Sequence, residues 1–189
     1  MNNRRQEILY TTSQLMETQG YHATGVNQIL EASGAPKGSL YYYFPDGKDS
    51  LTEQVIQQTA ERIESRIRLV MAEHDDPATA VAAFFVTLSG SVEAADYASG
   101  GPITTIALEV ASTNERLNAA CHAAYGRWQQ AFADKLLAHG YPEESAYPLA
   151  TLIISAIEGA TILARSQKSV RPLHESGQQL ARLLEATRP

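Results

Sequence analysis

The spacing of helix breakers limits this chain more than any other feature of its sequence. Gly20, Ser33-Gly34, Pro45-Asp46-Gly47, Asp75-Asp76-Pro77, Ser99-Gly100-Gly101-Pro102, Gly140-Tyr141-Pro142 and Pro172 punctuate it, and between them the apolar residues recur with a helical period. A first helix carries Ile8, Leu9, Leu15 and Met16 on one face and should stop at Gly20. Thr24 can cap a short second helix with Val26, Ile29 and Leu30, and Pro36 suits the first position of a third. Pro45-Asp46-Gly47 ends the third, and Asp46 can cap a fourth with a stripe of Leu51, Val55, Ile63, Ile67 and Val70, reaching about residue 74. Further helices are expected from Asp75-Asp76-Pro77 to about Gly90, over roughly 103–112, from Glu115 to Leu137, over 143–168, and from Pro172 to about Ala186. No strand alternates convincingly and no repeat is found, so the fold class is all-α.

With 189 residues, the chain has room for a small domain joined to a larger one. We expect a small helical domain over 1–48 and a larger helical domain over 49–189. Hydrophobic residues make up 44%, enough for a core. The net charge of −6 excludes a wholly basic nucleic-acid coat but not a local DNA-reading surface. A lone cysteine, Cys121, rules out an internal disulfide. The start, MNNRRQEILYTTSQL, lacks the apolar stretch of a signal peptide, and no uninterrupted apolar run reaches membrane-spanning length, so the expectation is a cytoplasmic protein with no membrane partner.

The stretch GAPKGSLYYYFPDGKDSL, residues 34–51, carries the functional signal. Two short helices joined by Ser33-Gly34-Ala35 have helix-turn-helix geometry, in which the N-terminal residues of the second helix meet base edges in the major groove. Lys37 can donate to guanine or phosphate, Gly38 lets the backbone come close to DNA, and Ser39 can bond to a base or a phosphate. Leu40 and Phe44 are four apart and should point inward, leaving Tyr41, Tyr42 and Tyr43 around the rest of the helix with hydroxyls for phosphates. Three consecutive tyrosines cannot all face a core, which sets this run apart from an ordinary aromatic helix end. Lys48 adds a cation at the head of the fourth helix. Residues 1–50 hold Arg4, Arg5, Lys37 and Lys48 against Glu7, Glu17, Glu31, Asp46 and Asp49, so a positive footprint must come from arrangement.

Residues 5–55 resemble the DNA-binding domain of the tetracycline-repressor (TetR) family of bacterial regulators. The resemblance rests on Gly20-Tyr21, Ala23-Thr24, Val26, Ile29, Ala32, Gly34, Lys37-Gly38-Ser39-Leu40-Tyr41, Tyr43-Phe44, Lys48 and Leu51. It implies that Thr24 contacts phosphate, that Lys37, Gly38, Ser39 and Tyr42 lie at base edges, and that Tyr41, Tyr43 and Lys48 hold the DNA backbone. The family most often has histidine where Tyr43 stands and one residue fewer between Phe44 and the lysine, so Gly47 reads as an insertion. That insertion resembles the LmrA/YxaF-like branch, as do "GGPITTIALEVA", "LIISAIEGATILARSQKSVRPL" and Trp128. A cysteine often found near Gly101 in the branch is absent here, which removes the case for a thiol sensor at that place.

The distal half is apolar with a few placed polar groups, the usual make-up of a small-molecule site. Candidate effector contacts are Phe84, Leu88, Thr104, Thr105, Glu109, Trp128, Ile154 and Glu158, beside a portal at Ser99–Pro102. Glu109 and Glu158 sit in otherwise apolar helices, where a buried carboxylate is costly unless paired. Glu158 can serve a ligand or pair with Arg165 or Arg127. Small residues Ala156, Gly159 and Ala160, with Leu180, Leu183 and Leu184, suit a homodimer seam on the last two helices, which is where the family dimerises. The resemblance implies a repressor that binds an operator in double-stranded DNA and responds to a small effector.

An enzyme is the rival from another class. His22, His74, His122, His139 and His174 are scattered without zinc-site spacing, and Cys121-His122 point to different helix sides. PDGKDS mimics a phosphate loop, but Tyr42 stands where the first glycine belongs and Asp49 follows the lysine. No cofactor motif emerges. A helical small-molecule-binding protein without DNA-binding activity is the other alternative.

Overall fold

The computed structural model describes residues 3–98 and 100–188, the side chain of Asn3 apart, and every regular element among them is a helix. In chain order these are α1 (Asn3–Ala23), α2 (Val26–Ser33), α3 (Lys37–Tyr43), α4 (Lys48–Glu73), α5 (Pro77–Ala94), α6 (Pro102–Val110), α7 (Glu115–Leu137), α8 (Glu143–Gln167) and α9 (Arg171–Ala186). They fall into two compact units, Met1–Glu61 with Gly101–Ala124 and Arg62–Gly100 with Tyr125–Pro189. The chain therefore changes unit inside α4 and inside α7.

In the first unit α1 packs against α2, α3 and α6. Ile8, Leu9, Ile29, Ala35, Leu40, Phe44, Leu51 and Val55 form the buried cluster, with Leu15, Val26, Leu30 and Tyr43 against it. Each large side chain buried there contributes about 1.5–3 kcal/mol relative to exposure. Gly20 stops the regular helix, as expected, but α1 does not end there. Its backbone turns to φ +86° and the helix resumes for one more turn to Ala23. Three cap expectations also change. Gly25, not Thr24, is the N-cap of α2, because the Thr24 hydroxyl turns back to donate to the Gly20 carbonyl at 2.6 Å. Pro36 stands at the N-cap of α3 rather than inside it. The ladder of α4 opens on the Gly47 carbonyl, which accepts from Leu51 N–H, while Asp46 pairs with Arg116.

In the second unit α5 packs on α9 and α8, and α8 packs on α9. The fifth helix starts at Asp75-Asp76-Pro77 as expected, with Asp76 capping it by accepting from Thr79 N–H at 2.8 Å, but it runs past Gly90 to Ala94. A Cβ on Gly177 of α9 would lie 2.7 Å from Cβ of Phe85, so glycine permits this close helix approach. Phe84 and Phe132 meet edge to face at 5.5 Å between ring centroids. The Tyr141 hydroxyl donates to the Leu184 carbonyl and pins the α7–α8 connection to α9. By length and composition α5 and α8 are apolar enough to cross a bilayer, though polar residues interrupt the apolar run of each. α5 is a core helix, with Phe84, Phe85, Val81 and Val92 buried. α8 instead leaves Leu152, Ile162 and Leu163 exposed.

Candidate nucleic-acid interface

α3 has seven residues and two faces. Leu40 and Phe44 are fully buried, as their spacing requires, and they fix the helix on α1 and α4 residues of the first unit's core. Tyr42 is 79% exposed and Tyr41 45% exposed, and Lys37 and Gly38 are exposed beside them. Ser39 is half-buried and its N–H donates to the Pro36 carbonyl. Tyr43 divides its ring between the core cluster and edge contacts with Tyr42 and Phe44. A Cβ on Gly38 would meet nothing within 4 Å, so nothing inside the protein asks for glycine there. The outward face thus presents an ammonium, a bare stretch of backbone and phenolic hydroxyls together.

Two of the residues expected at the DNA backbone also have partners inside the protein. Thr24 is fully buried and its hydroxyl is held by the Gly20 carbonyl and the Gln19 amide, leaving no face for a phosphate. Lys48 lies half-buried with its ammonium 4.0 Å from the centre of the Tyr21 ring. Burial lowers the affinity of that amine for its proton, and the charges of Asp49 and Glu109 oppose the shift. Gly47 turns at φ +67°, giving the extra residue between Phe44 and Lys48 a tight turn.

Acidic side chains around this face are engaged. Of the five in residues 1–50, Glu7 pairs with Arg4, Glu17 accepts from Gly101 N–H, Asp46 pairs with Arg116, and Asp49 accepts from Tyr21 and Asn114. Arg116 is the hinge pin of this arrangement, reaching Asp46 at 3.0 Å and Glu53 at 2.7 Å. Four of those five carboxylates are thereby drawn into internal contacts, and α3 itself carries no anion beside Lys37.

Glu109 belongs to the same scaffold. Its carboxylate accepts from the His22 N–H at 2.7 Å, a donor exposed by the break at Gly20. A Cβ on Gly20 would lie 1.8 Å from Glu109 Oε1, so both the positive φ and the close carboxylate require glycine. Glu109 is thus the partner of the α1 kink, a structural answer to the apparent anomaly of a carboxylate in α6. Asp49, Asn114 and Arg116 were not among the sequence candidates. Asn114 could have been found as a cap before Glu115, since its Oδ1 accepts from Leu117 N–H, but its distant partner could not.

The effector candidates divide between the units. Thr104, Thr105 and Glu109 lie on α6 of the first, while Phe84, Leu88, Trp128, Ile154 and Glu158 lie on α5, α7 and α8 of the second. Phe84 and Trp128 are buried, Leu88, Ile154 and Glu158 half-buried, and Trp128 meets Tyr125 edge to face at 5.2 Å. Arg165 donates to the Tyr97 and Ala98 carbonyls, and Arg127 bridges to Glu64. Hydrogen bonds from Arg68 and then Arg127 hold Glu64 below the usual carboxylate range. At the expected portal, Ser99 lies outside the described residues and Gly101 turns at φ +91° to start α6. Of the seam candidates, Ala160, Leu180 and Leu184 are buried within the chain, because α9 turns its main apolar face onto α5. Ala156 is half-buried, and Gly159 and Leu183 are exposed. Among the described residues no group of His, Cys, Asp or Glu gathers to hold a metal ion.

Residues 8–55 match the family described as bacterial regulatory proteins, tetR family, and residues 77–179 match the C-terminal domain of LmrA/YxaF-like transcriptional regulators. The uncharacterized HTH-type transcriptional regulator YxaF of Bacillus subtilis (strain 168) is 40% identical over 169 residues, covering 89% of this chain and 88% of that protein. The HTH-type transcriptional regulator LmrA of the same organism is 37% identical over 169 residues, covering 89% and 90%. A solved TetR transcriptional regulator from Chloroflexus aurantiacus J-10-FL shares the fold with a TM-score of 0.82 at 28% identity, over 97% of this chain and 95% of its own. These relatives are transcriptional regulators rather than enzymes, and the two matched family regions take in both α3 and the distal helices. The chain belongs to the tetR family of bacterial regulatory proteins, in its LmrA/YxaF-like branch, as a helix-turn-helix DNA-binding transcriptional regulator.

Proposed function

We propose that the chain acts in the cytoplasm as a homodimeric repressor on a palindromic operator, and that a small apolar or aromatic effector releases it. The observation that carries this reading is the outward face of α3. Gly38, in the first turn of α3, is a poorer helix former than alanine, and no internal neighbour requires it. An outside surface that must come close to the backbone does, and the adjacent Lys37, Ser39, Tyr41 and Tyr42 carry the donors that base edges and phosphates accept. Every DNA contact in this reading falls within residues 1–48, with effector binding and dimerisation in 49–189. The exposed α8 side chains Leu152, Ile162 and Leu163, with Gly159 and Leu183, supply the self-complementary apolar seam a two-fold dimer needs. Phe84 and Trp128, with Leu88, Ile154 and Glu158, supply the effector contacts in the second unit.

A footprint of the purified protein on DNA upstream of its own gene tests the proposal. Two protected half-sites on one face of the duplex, about one helical turn or a multiple apart, are expected, with affinity falling as salt rises. Gly38→Ala should keep the fold and weaken that footprint. Absence of any footprint on upstream DNA, across low and moderate salt, would refute DNA-bound repression at its own gene. Effectors are sought among hydrophobic drugs, flavonoids and aromatic acids by Trp128 emission and operator release together. A tenfold loss of operator affinity requires only about 1.4 kcal/mol of coupling.

A further inference from the structure

We propose that Asn114 is a positioning residue for DNA binding, acting through Asp49 and Tyr21 on the ammonium of Lys48. Asn114 works in two directions. Its Oδ1 caps α7 by accepting from Leu117 N–H at 3.1 Å, and its Nδ2 donates to Asp49 Oδ2 at 2.9 Å. The other oxygen of Asp49 accepts from the Tyr21 hydroxyl. The ring of that tyrosine carries the Lys48 ammonium at 4.0 Å. Four side chains from α1, α4 and the head of α7 thus form one polar chain inside the first unit, ending on the cation at the start of α4.

Each link constrains the next. Asp49 has a donor on each oxygen, so removing one frees the carboxylate to swing toward its neighbour Lys48. An Asp49 that turned to Lys48 would capture the ammonium directly and let go of the Tyr21 hydroxyl. The amide of Asn114 holds the carboxylate off, and leaves the lysine on an aromatic face, from which a phosphate can draw it at little cost. Asn114 is the only member of the chain outside residues 1–55, so its cap on α7 ties Lys48 to the element that follows α6. The inference rests on the reading that Lys48 holds DNA.

The test uses a change that keeps the cap and reverses the polarity. Asn114→Asp caps α7 as well as asparagine does, but sets a carboxylate against Asp49. We expect it to lower affinity for the DNA protected by the wild type by tenfold or more, with the fold retained. The double variant Asp49→Asn with Asn114→Asp restores a donor and an acceptor between the two positions and should recover affinity to within about threefold. A second readout needs no DNA. In the reductively dimethylated protein the Lys48 methyl signal, assigned with Lys48→Arg, should be shifted upfield by the Tyr21 ring. Asn114→Asp should abolish that shift and the double variant should restore it. Should Asn114→Asp fail to fold, Asn114→Ser retains a cap, cannot reach Asp49, and is expected to behave the same way. Wild-type affinity in either single variant, an unmoved Lys48 signal, or a folded double variant that recovers neither property would overturn the proposal. If the wild type bound no DNA, the function reading would fail while the Lys48 signal still judged the chain of contacts.

Discussion

α3 and α8 both present side chains that the protein itself does not cover, and they present opposite chemistry. On α3 the open groups are Lys37, Tyr41 and Tyr42, each ending in a donor. On α8 they are Leu152, Ile162 and Leu163, none of which has one. Each face also contains a helical glycine, Gly38 or Gly159, at which an added Cβ would meet nothing within 4 Å. A polar face with bare backbone suits a partner rich in acceptors, and an apolar face with bare backbone suits a close-packed second helix. The difference shows that exposure alone does not assign a surface. What the exposed atoms can bond to does, and on that basis the function proposed above gives one face to DNA and the other to a second copy of the chain.

The strongest way to break this comparison is Gly159→Arg. The position is open within the protein, so the fold should survive, while an arginine in the apolar seam should abolish the dimer and with it cooperative occupation of two half-sites. Light scattering at micromolar concentration reads the result, and an intact dimer would move the seam elsewhere. Next is Leu184→Ala. Leu184 is only 1% exposed, so its loss should destabilise the folded chain by about 2–5 kcal/mol, measured by denaturant unfolding. Dissociation of the dimer at unchanged stability would instead return Leu184 to the seam. Lys37→Ala should weaken specific DNA binding by about 1–3 kcal/mol if the amine reads a base, and leave the dimer untouched. Equal loss on unrelated DNA would make it a phosphate contact.

The smallest effect is alkaline. Burial first, and then the bond and charge of Asp49, push the Tyr21 hydroxyl up to about 12 from an ordinary value of 10.0. The folded state therefore holds this proton more tightly than the unfolded one. Its stabilising contribution is complete below about pH 10 and is lost as pH rises toward 12. Absorbance at the tyrosinate band should show Tyr21 ionising late, and Tyr21→Phe should remove that late step. A Tyr21 that ionised near the ordinary value of 10.0 would show the contact with Asp49 to be open in solution.

Much of this was legible in the sequence because periodicity reports which side of a helix is apolar. Leu40 and Phe44 point inward and the α3 tyrosines divide around them for that reason, and the bounds of α7 follow from Glu115 to Leu137. Periodicity does not report what covers an apolar side. Leu180, Leu183 and Leu184 look alike along α9, yet α5 covers the first and last and leaves Leu183 exposed. Polar partners far apart in sequence were harder still. His22 N–H and Glu109 are 87 positions apart, and nothing near Glu109 marks it as the partner of a kink. Thr24 misled because a local cap and a back-bond to Gly20 compete for one hydroxyl, and the broken helix at Gly20 offers the better acceptor.

The return of Gly101–Ala124 into the first unit bears on how such a regulator can be cut and recombined. A headpiece made from the N-terminal 61 residues alone would lack Glu109, Asn114 and Arg116. His22 N–H would then lose its acceptor, Asp49 its amide partner, and Asp46 and Glu53 their shared guanidinium. A chimera that transplants this DNA specificity onto another sensor should carry both segments, or replace those three side chains with equivalents from the host. Grafts that move only the helix-turn-helix are expected to inherit the reading surface without the supports that aim it.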